Sequence, residues 1–204
     1  MEPKKYNMSF TTGGLFHSES LQLAELYMEL ASWSDVKNKV LAENTLQFRT
    51  QSSLKRIARE IIHRLKCLDH AELEFFVKSS PNDQAFILWL AICRYYKFIA
   101  EFSINVLRER YLGLKFDISF EDFDRFLADK SEWHTELEKI SVSTRKKIRQ
   151  VLFRMMREAD LITDQNTINA AMLSPEFVRL VFDHNQIELA YFPIFDTDIQ
   201  GGAM

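Results

Sequence analysis

The chain has 204 residues, enough to bury one substantial core or two small ones. Hydrophobic residues make up 47%, which excludes a disordered chain, and 5 Gly with 4 Pro argue against a sandwich or barrel and for helices. The formal net charge is −3, so any local concentration of positive charge runs against the trend of the whole chain.

In chain order, the segment to about residue 17 has turn signals at Thr12, Gly13 and Gly14 and little periodicity. Ser18 or Ser20 caps a helix to about 33, with Leu23, Leu26, Tyr27, Leu30 and Ala31 inward. Ser34 caps a short helix to about 44, and after a polar break a third helix covers about 52–66. Asp69 caps a fourth to about 78, and the serine before Pro81 opens a fifth to about 96. A sixth covers about 98–112 and stops at Gly113. Ser119 and Asp122 resemble a capping box for a helix to about 128. Ser131 caps the next, to about 140, and a basic helix follows over about 143–160. Two short apolar pairs at 161–168 enclose polar turn residues and read as a small hairpin or a loop. Ser174 and Pro175 open a last helix to about 184.

The expectation is therefore an all-α fold of about nine to ten helices packed as one globular protein. An N-terminal region, 1–113, carries a first helix-turn-helix-like unit at about 34–66. A C-terminal region, 114–204, carries a second at about 131–160. With 17 Phe, the core should be rich in aromatic contacts.

Charge is sorted in blocks. Residues 141–157 carry Arg145, Lys146, Lys147, Arg149, Arg154 and Arg157 with no acid. Residues 49–66 carry six Lys or Arg against Glu60. Acid-rich segments at 117–138 and 159–204 flank the second basic run. On a helical wheel, Ile148, Val151, Leu152, Met155 and Ala159 share one face of the second basic helix, while Phe153 falls on the polar side. Leu54, Ile57, Ala58, Ile61 and Leu65 do the same in the first. The two segments overlay at an offset of 94, which puts Thr50 on Thr144.

A second helix that enters a groove N-terminus first presents hydroxyls, amides and cations to phosphates. Thr50, Ser52, Ser53, Lys55, Arg56 and Arg59 are so placed on the first basic helix. Ser143, Thr144, Arg145, Lys146, Lys147, Arg149 and Arg154 are the counterparts on the second. The bland reading is that both are ordinary solvated faces; two of them in an acidic protein favour double-stranded DNA. The alternatives are a protein–protein adaptor whose basic helices meet an acidic partner, and an RNA-binding module. The aromatic–cation runs at 94–97 and 108–111 read as core aromatics whose basic neighbours reach solvent.

Other chemistry has little support. Cys67 and Cys93 read as buried free thiols in a reducing compartment. Five scattered histidines and no CxxC leave a zinc site improbable, and no other cofactor is called for. No triad order stands out, so an enzyme is not expected. The most apolar run, 85–93, is far shorter than the roughly twenty residues a bilayer needs. The expectation is a cytoplasmic monomer with no signal peptide and no membrane insertion.

Four runs are distinctive: YNMSFTTGGLFHSES at 6–20, LWLAICRY at 88–95, FSINVLRERY at 102–111 and STRKKIRQVLF at 143–153. Together they resemble the BrxA family, small core components of bacteriophage exclusion (BREX) systems. The resemblance reaches to about Phe177. It implies an all-helical, non-enzymatic antiphage protein that binds double-stranded DNA through helix-turn-helix elements and works with other BREX components. It supplies no catalytic residues.

Overall fold

A computed structural model describes residues 5–11 and 13–195, which are helical and contain no β-strand. Thr12 of the expected turn and the tail from 196 lie outside the described residues. The helices are α1 (His17–Leu30), α2 (Trp33–Glu43), α3 (Gln51–Leu65), α4 (His70–Lys78), α5 (Pro81–Tyr95) and α6 (Lys97–Phe102). A π-helical stretch, Ser103–Arg108, carries α6 into α7 (Glu109–Leu112). Then come α8 (Phe120–Ser131), α9 (Thr135–Glu138), α10 (Val142–Glu158) and α11 (Pro175–Asn185), with a 3₁₀ segment at Gln186–Tyr191.

Local chemistry sets most of these starts. Asp69 accepts the amide of Glu72, whose carboxylate returns to the Asp69 amide, a capping box that begins α4. Ser119 and Asp122 form the same box on α8. Ser80 and Ser174 cap α5 and α11, each with Pro at the first helical position. The π stretch coincides with Ser103, whose hydroxyl donates to the Ile99 carbonyl at 2.8 Å.

The core is built round α5, buried continuously from Gln84 to Cys93. Both α3 and α10 pack against it, as do α1, α4 and α6. Phe98 and Phe102 meet Phe123 and Phe126 of α8 at centroid distances of 5.2–6.0 Å. Phe86, Phe177 and Phe192 form a second aromatic group that holds α11 and the 3₁₀ segment on α5. Phe153, out of phase on the wheel, is fully buried and meets Phe120 edge-on at 4.8 Å.

Two expectations change, at 131–140 and at the start of α1. The helix placed at 131–140 does not form. Ser131 closes α8, donating to the Leu127 carbonyl at 2.7 Å, and only the four-residue α9 follows. Leu137 and His134 are both buried in this turn. The segment 161–168, expected as a small hairpin or a loop, is a tight antiparallel turn closed by the single bridge Ile162–Ile168, and Thr167 bridges Asp117 as a further isolated pair. Finally, α1 starts after Phe16, which is in a left-handed conformation (φ 58°) and gives no side-chain cap; the expected caps Ser18 and Ser20 both lie inside the helix.

Candidate nucleic-acid interface

The two basic helices begin with the same hydroxyl geometry. At α3, Thr50 Oγ1 accepts the Ser53 amide at 3.2 Å, donates to Ser53 Oγ at 3.0 Å and lies 3.2 Å from Ser52 Oγ. At α10, Ser141 Oγ accepts the Thr144 amide at 3.2 Å, donates to Thr144 Oγ1 at 2.9 Å and lies 3.0 Å from Ser143 Oγ. The equivalence is therefore Thr50 with Ser141, an offset of 91 and not 94. The offset of 94 matched apolar phase; the caps fix the register, because the residue with non-helical backbone sets where each helix starts. Lys55 then corresponds to Lys146, Arg56 to Lys147 and the buried Ile57 to the buried Ile148.

The expected contact residues divide into free and tethered groups. Lys55, Arg56 and Arg59 are exposed, as are Lys146 and Lys147, with no carboxylate partner among the described residues. The hydroxyls of Ser52 and Ser143 are exposed beside them. Arg145 is half-buried and donates to the Ile140 carbonyl at 3.2 Å. Arg149 pairs with Asp124 of α8 and lies over the Phe120 ring at 4.5 Å. Arg154 pairs with Glu158 at 2.7 Å, and Arg157 donates to Asn166 at 2.6 Å. Much of the +6 on α10 thus holds α10 to its surroundings.

Arg64, counted in the first basic run, is 3% exposed. Its Nε pairs with Glu60 at 2.8 Å, its Nη1 donates to the Gly14 carbonyl at 2.8 Å, and its guanidinium lies over the Phe16 and Tyr96 rings. It clamps the N-terminal segment onto α3. The same segment reaches the other basic unit. The Leu15 amide donates to Glu158 of α10, and the Tyr6 amide donates to Glu136 of α9 at 2.9 Å. Gly14 permits this approach: a Cβ there would lie 2.1 Å from the Glu158 carboxylate.

Two features were missed by reasoning from sequence. Ser141 is the cap of α10, and the matching patterns Thr-x-Ser-Ser and Ser-x-Ser-Thr were the available signal. Trp133 is 77% exposed in the α8–α9 turn, following the exposed Asp129 and Glu132 in the chain; its place next to Glu132 was the only hint.

No helix among the described residues is long and apolar enough to cross a membrane. The chain has the fold of an uncharacterized protein from Magnetospirillum magneticum, whose crystal structure superposes with a TM-score of 0.76 at 19% identity, covering 94% of this chain and 99% of that one. It is 26% identical over 131 residues to the BREX protein BrxA of Bacillus cereus (strain H3081.97). That alignment covers 64% of this chain and 66% of the relative, just under two thirds of its length. The BrxA family model matches residues 4–185, nearly the whole described chain, and the chain belongs to the BrxA family.

Proposed function

We propose that this chain is a non-enzymatic, double-stranded DNA-binding component of a BREX antiphage system, acting beside other BREX components. The observation that carries the reading is the repeated start of α3 and α10: one cap geometry, two exposed hydroxyl clusters, and two free Lys/Arg pairs in the same register. α3 follows α2 across the connection 44–50, and α10 follows the four-residue α9 across 139–141, a chain order that resembles the layout in which a second helix enters the major groove. For the second unit, the bridged turn at 161–168 returns beside 116–118, in the chain position of a wing. The free cations reach phosphates; Gln150 and Val142, both exposed on α10, face the same way as Lys146 by helical spacing. Phosphate contacts carry little sequence information, so preference among duplexes is slight.

The test is charge reversal at exposed sites that hold nothing else in place. Lys55→Glu with Arg56→Glu, and Lys146→Glu with Lys147→Glu, should each weaken binding to a fluorescent duplex by at least tenfold at low salt, with unchanged melting. Duplex affinity that survives both pairs sinks the reading. Arg149 is unsuitable for this test, because reversal there also breaks its pairing to Asp124. A second reading, an adaptor surface, has one observation in its favour: exposed Trp133 follows exposed Asp129 and Glu132 in the chain, neither with an ion pair among the described residues, and so offers a cationic partner both a ring face and charge. Nuclease-insensitive pull-down lost on Trp133→Ala would support it.

A further inference from the structure

Between the N-terminal segment and the flank of α3 lies a cavity of about 310 Å³. Small-ligand sites run from roughly 300 to 1,000 Å³, so one small molecule fits. Arg56 and Arg59 line it from α3, and neither has a carboxylate partner among the described residues. Glu60 also lines it, but its carboxylate is held by Arg64 at 2.8 Å and by the Tyr96 hydroxyl, so its charge is already answered. Two guanidinium groups are left over. A guanidinium fork matches phosphate geometry and stays charged at every physiological pH.

The rest of the lining is aromatic and hydroxylic, with the aliphatic Ile57 on α3. Phe16 enters from the N-terminal segment and Tyr95 from the end of α5. His63 Nδ1 lies 3.0 Å from the Tyr95 hydroxyl, with ring centroids 5.7 Å apart, so the two rings are fixed against each other. Flat π faces accept any nucleobase by stacking. Ser9 adds a hydroxyl that also lies 3.5 Å from the Tyr96 hydroxyl.

We infer that this cavity binds a nucleoside phosphate, with Arg56 and Arg59 on the phosphate and the Phe16, His63 and Tyr95 rings beside the base. A free nucleotide and the terminal nucleotide of a DNA strand share this chemistry. Because both arginines also belong to the free cations of α3, occupancy competes with a duplex on that helix, and by linkage the duplex weakens the nucleotide equally. Nucleotide binding itself is measured without DNA, so its failure leaves the duplex reading standing.

Isothermal titration calorimetry of the full chain with AMP, ATP and inorganic phosphate tests this. AMP and ATP should bind, and phosphate alone should bind at least tenfold more weakly. Arg56→Ala with Arg59→Ala should cost at least tenfold, and His63→Ala severalfold; all three sites are on the surface, so folding is spared. Lys37→Ala, an exposed lysine on α2, should change nothing. A single strand with a 5′-phosphate that binds more tightly than its unphosphorylated form, and is displaced by AMP, identifies a strand end as the source. Indifference to that phosphate identifies the free nucleotide. No heat from AMP or ATP at millimolar concentration overturns the inference, as does affinity unaffected by the double arginine variant. Equal binding of phosphate and AMP overturns the role of the rings.

Discussion

Arg94 shows how much one residue can hold. Its Nη1 and Nη2 contact the Glu72 carboxylate at 2.6 and 2.7 Å, and its Nε and Nη2 contact Glu188 at 2.7–3.1 Å. Burial opposes its charge, but the two carboxylates outweigh burial and push its pKa up. Glu72 is fully buried on α4 and Glu188 nearly so in the 3₁₀ segment, so one guanidinium on α5 ties both elements to the central helix. A buried ion group is weak evidence of net stabilisation, yet removing one partner strands the others. Arg94→Ala leaves two buried carboxylates facing each other and should cost about 3–5 kcal/mol in urea unfolding. Arg94→Met combined with Glu72→Gln and Glu188→Gln should cost clearly less. A cost for Arg94→Ala within 1 kcal/mol of wild type, on the scale of ordinary surface changes, rules out the tie. The sequence placed Arg94 at the edge of an aromatic core with its charge in solvent. That reading failed because both carboxylates come from remote positions, 72 and 188, which no local pattern links to residue 94.

At the scale of elements, the two matched caps make a quantitative test. Thr50→Ala and Ser141→Ala each remove an acceptor for an orphan amide and break a three-hydroxyl cluster. Each should lower stability by about 1 kcal/mol, read as a drop in thermal midpoint, and the two effects should add because the caps share no partner. A loss near zero for both would mean that the flanking hydroxyls replace the cap. Capping also separates what could be read in the sequence from what could not. Asp69, Ser80, Ser119 and Ser174 were legible because each start had one good capping residue followed by Glu, Asp or Pro. Where serines stand two apart, local chemistry offers two starts. Ser32 caps α2 where Ser34 was expected, and Ser141 caps α10, whose start was expected at about 143. The choice falls to packing, of α2 on α1 and α3 and of α10 on α5. The same limit explains α8 and α9: Ser131 looked like a cap, but Leu127 keeps it in the helix through a carbonyl bond. The all-helical class and the apolar faces of α3 and α10 were readable throughout, because 3.6-residue periodicity over 15 and 17 residues is a strong signal.

For the whole molecule, the sorted charge and the N-terminal segment bear on one question: whether α3 and α10 work as a unit. Both lay their apolar faces on α5, and Gly14, Tyr6 and Leu15 of the N-terminal segment bond to α3, α9 and α10 respectively. Both basic helices are thereby held on one centre, so on the proposed reading a duplex that reaches both starts would bind without further ordering cost. Lys55, Arg56 and Arg59 on α3 and Lys146 and Lys147 on α10 are the free cations available. If all five neutralise phosphates on one duplex, the logarithm of affinity falls against the logarithm of salt with a slope of about −4.5. Reversal of Lys55 and Arg56, or of Lys146 and Lys147, then flattens that slope by about two in each case, and sedimentation shows one duplex per chain. Helices that act on separate duplexes would instead give two duplexes per chain and a slope unaffected on the site left intact. A slope near zero in the wild type would remove phosphate neutralisation as the source of affinity, and with it the meaning assigned to the matched pair of basic helices.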